Sequence, residues 1–66
     1  MKIVLNGEDR EIAPATSLQQ LLELAGYAQR RVAIEVNREI VPRSRHGSHT
    51  LSPGDRVEIV HAIGGG

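Results

Sequence analysis

The sequence predicts an α+β fold in which one helix lies across one face of a mixed four- to five-stranded sheet. Three observations point to it: an Asn6-Gly7 pair between two short extended patterns, a single leucine stripe at helical spacing, and two later alternating β patterns. A helix that joins an early hairpin to a later strand can bury its stripe only against the sheet those strands form. At 66 residues the chain suits one such pair of layers around one core.

Lys2-Ile3-Val4-Leu5-Asn6 is an aliphatic, partly β-branched run that reaches Asn6-Gly7. Both residues tolerate positive φ, which tight hairpin turns require. Arg10-Glu11-Ile12-Ala13 is expected to be the returning strand, closed by Pro14. Thr16 or Ser17 then supplies a helix N-cap, with Gln19 or Gln20 three residues later completing a capping box in either register. Leu18, Leu21, Leu22 and Ala25 repeat at i, i+3, i+4 and i+7, while Gln19, Gln20 and Glu23 fall on the other side. This is an amphipathic helix of two to three turns that Gly26 is placed to end.

Val32, Ile34 and Val36 form one apolar face of a third strand. Asn37-Arg38-Glu39 is expected to turn the chain into a short extended piece at Ile40-Val41, with Pro42 at its end because it lacks an N–H. Arg43 to Ser48 is polar, contains Gly47, and is expected to be the least ordered part of the body. His49-Thr50-Leu51 is expected to form a brief strand before the Ser52-Pro53-Gly54-Asp55 turn. The last strand, Arg56 to about Ile63, places Val57 and Ile59 in the helix-covered core. Val60 and Ala62 fall on the open face, either as an apolar docking patch beside the tail or as isolated exposed aliphatics. A body over residues 1–63 and a flexible glycine tail over 64–66 are thus expected.

Composition narrows the function. Eight basic and eight acidic residues cancel, which argues against a phosphate backbone or an anionic membrane as the main partner. Tyr27 is the single aromatic residue, so the stacking platform of a single-strand binder is missing. Without Cys, neither disulfides nor thiolate-held metals can staple the fold. No apolar run approaches the roughly 20 residues of a membrane span, and no basic, apolar leader precedes the first strand, so a cytoplasmic location is expected. A domain of this size has no room for a large buried active site, and its chemistry is expected to occur in a partner.

The tail is the main functional clue. Gly64-Gly65-Gly66 directly follows the last strand pattern, and a glycine end can thread into a narrow active site and present its carboxylate as the reacting group. From Ile63 to Gly66 an extended chain spans at most about 13 to 14 Å, enough to reach from a docked body into a cleft. Val60, Ala62, Ile63, Gly64 and Gly65 are the residues expected to meet that partner.

The Asn6-Gly7 hairpin, the capped helix from Thr16 to Leu22, the stretch Val36-Asn37-Arg38-Glu39-Ile40-Val41-Pro42-Arg43 and the end from Gly54 to Gly66 together resemble the ThiS family, sulfur carriers of thiamine biosynthesis with the ubiquitin-like β-grasp fold. The resemblance covers nearly the whole chain. It implies that an adenylating enzyme (ThiF-like) activates the Gly66 carboxylate with ATP. A sulfur donor such as a cysteine desulfurase then converts it to a thiocarboxylate, and a thiazole synthase (ThiG-like) receives the sulfur. It also implies a protein co-substrate rather than an enzyme, monomeric when free, with no cofactor of its own. Molybdopterin-type carriers share fold and tail but tend to be longer and richer in aromatics before it, where this chain has Val60-His61-Ala62-Ile63. Two further readings stand beside these. One is a ubiquitin-like modifier, for which Lys2, the sole lysine, leaves little room for side-chain-linked self-chains; the other is a β-grasp binding module with an inert tail.

Other signals are weaker. His46, His49 and His61 lack the Cys or carboxylate spacing that would complete a metal shell, and are expected to be solvated loop and strand-end residues. Arg30-Arg31 with Arg43 and Arg45 are expected to form either a solvated face or a basic edge for an acidic partner. No helix follows the glycine run to make it a phosphate loop.

Overall fold

The computed structural model describes residues 1–28 and 30–61, and of His61 the backbone only. Five strands, β1 (Lys2–Leu5), β2 (Glu8–Glu11), β3 (Val32–Val36), β4 (Glu39–Ile40) and β5 (Arg56–His61), make one sheet in the order β2-β1-β5-β3-β4. The helix α1 (Leu18–Leu24) lies between β2 and β3 in the chain, and a 3-10 helix (Arg43–Arg45) lies between β4 and β5. β1 and β5 run parallel; the other neighbours are antiparallel. The expected mixed sheet with one helix is thus present, with five strands.

The first hairpin is tighter than the sequence suggested. Asn6 and Gly7 take φ of 50° and 82°, the two positive values of a two-residue type I′ turn. Leu5 then faces Glu8 directly, so β2 begins at Glu8 instead of Arg10. All four residues of β2, Glu8-Asp9-Arg10-Glu11, are exposed, and their charges guard the open edge of the sheet against a second chain. The β3–β4 connection has the same geometry: Asn37 and Arg38 hold φ of 52° and 70°, and Glu39 pairs with Val36 as the first residue of β4 instead of ending the turn.

Between the two cap registers left open by the sequence, the structure selects Ser17 with Gln20. Gln20 N donates to Ser17 Oγ at 3.1 Å, and Ser17 N donates to Gln20 Oε1 at 2.9 Å. Thr16 is instead buried, its hydroxyl donating to Ala13 O at 2.6 Å. Leu18, Leu21 and Leu22 are buried, and Gly26 ends the helix at φ 85°. A seven-residue helix is too short to hold itself in water. Its three leucines must hold it, packed with Ile3 and Leu5 of β1, Ile34 and Val36 of β3, and Val57 and Ile59 of β5.

The segment Arg43 to Ser48, expected to be the least ordered, is built. The 3-10 helix is followed by a turn in which Ser48 N and His49 N both donate to Arg45 O. His46, expected to be solvated, is only 4% exposed. Its Nε2 lies 3.0 Å from Val41 O, and since a carbonyl only accepts, Nε2 carries the proton. Burying one imidazole with its donor satisfied closes the end of the core that Val41, also buried, begins. The brief strand expected at His49-Thr50-Leu51 is reduced to an isolated bridge between Thr50 and Ser17, because Leu18 N and Leu51 N use His49 O and Thr16 O to tie this loop to the start of α1.

Candidate functional site

The site is built around β5, the strand that leads to the glycines. The chain enters the central strand position last, between β1 and β3, so hydrogen bonds hold β5 on both sides. With β3 it pairs from Val36↔Val57 to Val32↔His61. With β1 the ladder is short, because β1 turns away after Leu5. Asn6 extends it: its N–H donates to Val57 O at 2.9 Å, and its side-chain Oδ1 accepts from Ile59 N at 2.8 Å. Asn37 does the same at the start of β5. Its Oδ1 accepts from Arg56 N at 3.0 Å and its Nδ2 donates to Asp55 Oδ1 at 3.0 Å, while Asp55 Oδ2 accepts from Ser52 N at 2.8 Å.

Both asparagines therefore combine a left-handed backbone with an acceptor aimed at β5. The turn function of Asn6 is legible in the dipeptide Asn-Gly; its bond to an amide 53 residues away is not. Asn6→Gly keeps the turn and loses the acceptor, and should lower stability by about 1 to 2 kcal/mol. Asn6→Leu loses both and should cost about 1 to 2 kcal/mol more. Urea unfolding of the pair separates the two contributions.

β5 alternates as its pattern predicts. Val57 and Ile59 are buried under the helix, and Val60 is 52% exposed on the open face. Register places Ala33 beside Val60, Glu35 beside Glu58, and Ile40, itself exposed, on the far side of Glu35. The open face next to the end of β5 thus presents the aliphatic pair Val60 and Ala33, then two carboxylates opposite one another, then Ile40. Directly opposed like charges weaken a sheet slightly, so this row is not there to stabilise the fold. Of the partner-binding residues expected from sequence, Val60 is placed on this face; Ala62, Ile63, Gly64, Gly65 and Gly66 lie outside the described residues.

Among the described residues no group of three or more His, Asp or Glu side chains is arranged to hold a metal ion. Among them, too, no helix is long and apolar enough to cross a membrane. What the site offers is a rigid strand end and a flanking surface.

Comparison with known proteins gives this geometry a context. Residues 3–66 match the model of the ThiS family. The chain is 30% identical to the sulfur carrier protein ThiS of Escherichia coli over 66 residues, the full length of both. It is 44% identical over 66 residues to a protein of Paramagnetospirillum magneticum named thiazole synthase, all of this chain matching but only 20% of that longer protein. The chain therefore spans about a fifth of the length of that relative. A crystal structure of the thiamine biosynthesis protein ThiS from Geobacter metallireducens superposes with a TM-score of 0.88 at 30% identity, covering both chains completely.

Proposed function

Because this chain belongs to the ThiS family, with its β-grasp fold, we propose that it carries sulfur for thiazole formation in thiamine biosynthesis, as a thiocarboxylate on Gly66. The observation that carries this reading is the family match over residues 3–66, which takes in both the central strand and the glycines beyond it. The P. magneticum protein supports thiazole synthase as the acceptor: a sequence like this one forms a fifth of a chain bearing that name.

The steps follow from carboxylate chemistry. An α-carboxylate with an ordinary pKa of roughly 3.5 is ionised at neutral pH and is a poor electrophile. In the adenylating partner it attacks the α-phosphorus of ATP, pyrophosphate leaves, and the product is an acyl adenylate. Hydrosulfide then displaces AMP to leave the thiocarboxylate. A persulfide donor gives an acyl disulfide instead, which a thiol cleaves to the same product. No side chain of this protein acts as acid, base or nucleophile in that sequence, so it is a recyclable co-substrate and not an enzyme. In this reading it works in the cytoplasm as a free monomer and binds no cofactor; ATP is consumed by the partner.

The body positions the tail. Anchored on both sides by Asn6 and the β3 ladder, β5 gives the chain that leads to the glycines a fixed base, and Val60 on it gives the partner an apolar hold. Val60→Asp should weaken binding to the adenylating enzyme about tenfold, the usual scale of a truncated interface anchor. Since Val60 is half exposed, the urea midpoint should hardly move.

The decisive experiment is the intact mass of the protein isolated from its own cells, with fragmentation to locate any change. Replacement of one carboxyl oxygen by sulfur on Gly66 is the expected result. An unmodified end that stays unmodified with the adenylating enzyme, ATP and a sulfur donor would overturn the carrier reading. Amide-linked adducts on other proteins would replace it with a modifier.

A further inference from the structure

Arg30 and Arg31, together with Arg43, line one groove of about 330 Å³ between the turn after α1, the start of β3 and the 3-10 helix. Among the described residues no carboxylate lines it. Among the described residues the one ion pair is elsewhere, between the N-terminal amine and Glu11 at 3.4 Å. Three permanently charged guanidiniums thus share a concavity with no acid among its described lining residues. Arg45, grouped with Arg43 by sequence, faces a separate hollow beside Asp55 and Glu39.

The groove has a fixed wall and a telling position. Buried His46, its ring bonded to Val41 O, contributes to the lining, and its backbone N–H donates to Arg43 O at 3.1 Å, which ties the Arg43 backbone to that end of the core. Val32 pairs with His61, so Arg30 and Arg31 immediately precede the residue that flanks the last described position of β5. The groove therefore stands beside the strand end from which the chain continues to the glycines. Glu8, Asp9 and Glu11 sit on β2, at the opposite edge of the sheet from β4. A net charge of zero conceals this separation.

We propose that this groove is an electrostatic docking site for an acidic surface patch on the adenylating partner, next to the cleft that receives the tail. The proposal rests on the sulfur-carrier reading and deepens it. All three arginines are exposed. A small anion would need converging, desolvated donors. Exposed forks around a groove instead match carboxylates spread over a protein surface, each able to take a bidentate arginine. Such pairs steer encounter and orientation more than they add affinity, and salt screens them.

The test compares wild type with Arg30→Glu/Arg31→Glu and with Arg43→Glu, after circular dichroism shows unchanged folding. Binding to the adenylating enzyme is measured without ATP, and adenylation by pyrophosphate exchange, each at low and at high salt. At low salt each variant should bind about tenfold or more weakly, with the half-saturating carrier concentration raised in proportion and the maximal rate held. At about 1 M salt the difference should largely vanish. Wild type that is loaded while both variants bind and load equally well at low salt overturns the docking site and leaves the carrier reading intact. Wild type that is neither bound nor loaded overturns both. Saturable binding of inorganic phosphate to wild type, lost in variants that still bind the enzyme normally, would replace the proposal with a small-anion site.

Discussion

Gly66→Ala is expected to reduce thiocarboxylate formation at least about a hundredfold while leaving the urea unfolding curve unchanged. One added residue after Gly66 should do the same. The argument is geometric. In the proposed carrier mechanism the terminal carboxyl must reach the α-phosphorus of ATP at the end of a thread that starts from a strand held in the centre of the sheet, so its reach is set by chain length and its path by the width of the cleft. A methyl group widens the thread and removes the backbone freedom that only glycine has, and misplacing the carboxyl by about 1 Å is enough for a loss of that order. The measurement is the fraction of thiocarboxylate by intact mass after incubation with the adenylating enzyme, ATP and sulfur donor. Normal loading of either variant would remove Gly66 from the mechanism.

Leu21→Ala should destabilise the body by about 3 to 4 kcal/mol. Leu21 is 1% exposed beneath the helix. A domain of 66 residues has a total stability on the order of 3 to 10 kcal/mol, so this one truncation removes a large part of it. The cost is high because α1 is only seven residues long and depends chiefly on its buried stripe. Leu24→Ala is the matched control. Leu24 is 69% exposed on the same helix, and its loss should change stability by no more than about 0.5 kcal/mol. Equal effects of the two substitutions would mean that the helix is rotated from the orientation described.

The elements legible in the sequence are those whose signal is local. The Leu18, Leu21, Leu22 stripe, the Asn-Gly turn and the alternation of β3 and β5 all follow from 3.6- and 2-residue periodicity and from backbone sterics, and each appears at its expected place. Errors fell where a local signal was ambiguous or absent. The returning strand reads as Arg10 to Ala13, since an exposed edge strand carries no burial signal, and only the two-residue turn sets it at Glu8–Glu11. The polarity of Arg43 to Ser48 hid the fact that His46 is buried, because a histidine whose donor meets Val41 O costs little to bury. At the site, the outward position of Val60 was legible from alternation. The anchoring roles of Asn6 and Asn37 were not, since their partners lie 53 and 19 residues away.

What the sequence determined by itself is the fold class, the faces that the helix, β3 and β5 bury, and the family membership, because periodicity, turn chemistry and motif are properties of neighbouring residues. The tertiary structure decided the rest: that β5 lies between β1 and β3, that Asn6 completes its ladder, and that Arg30, Arg31 and Arg43 meet beside its end while the acids of β2 sit across the sheet. The reason is that strand order and charge convergence depend on how distant segments pack. A net charge of zero is the same number whether the charges are mixed or separated, and only the folded chain distinguishes the two.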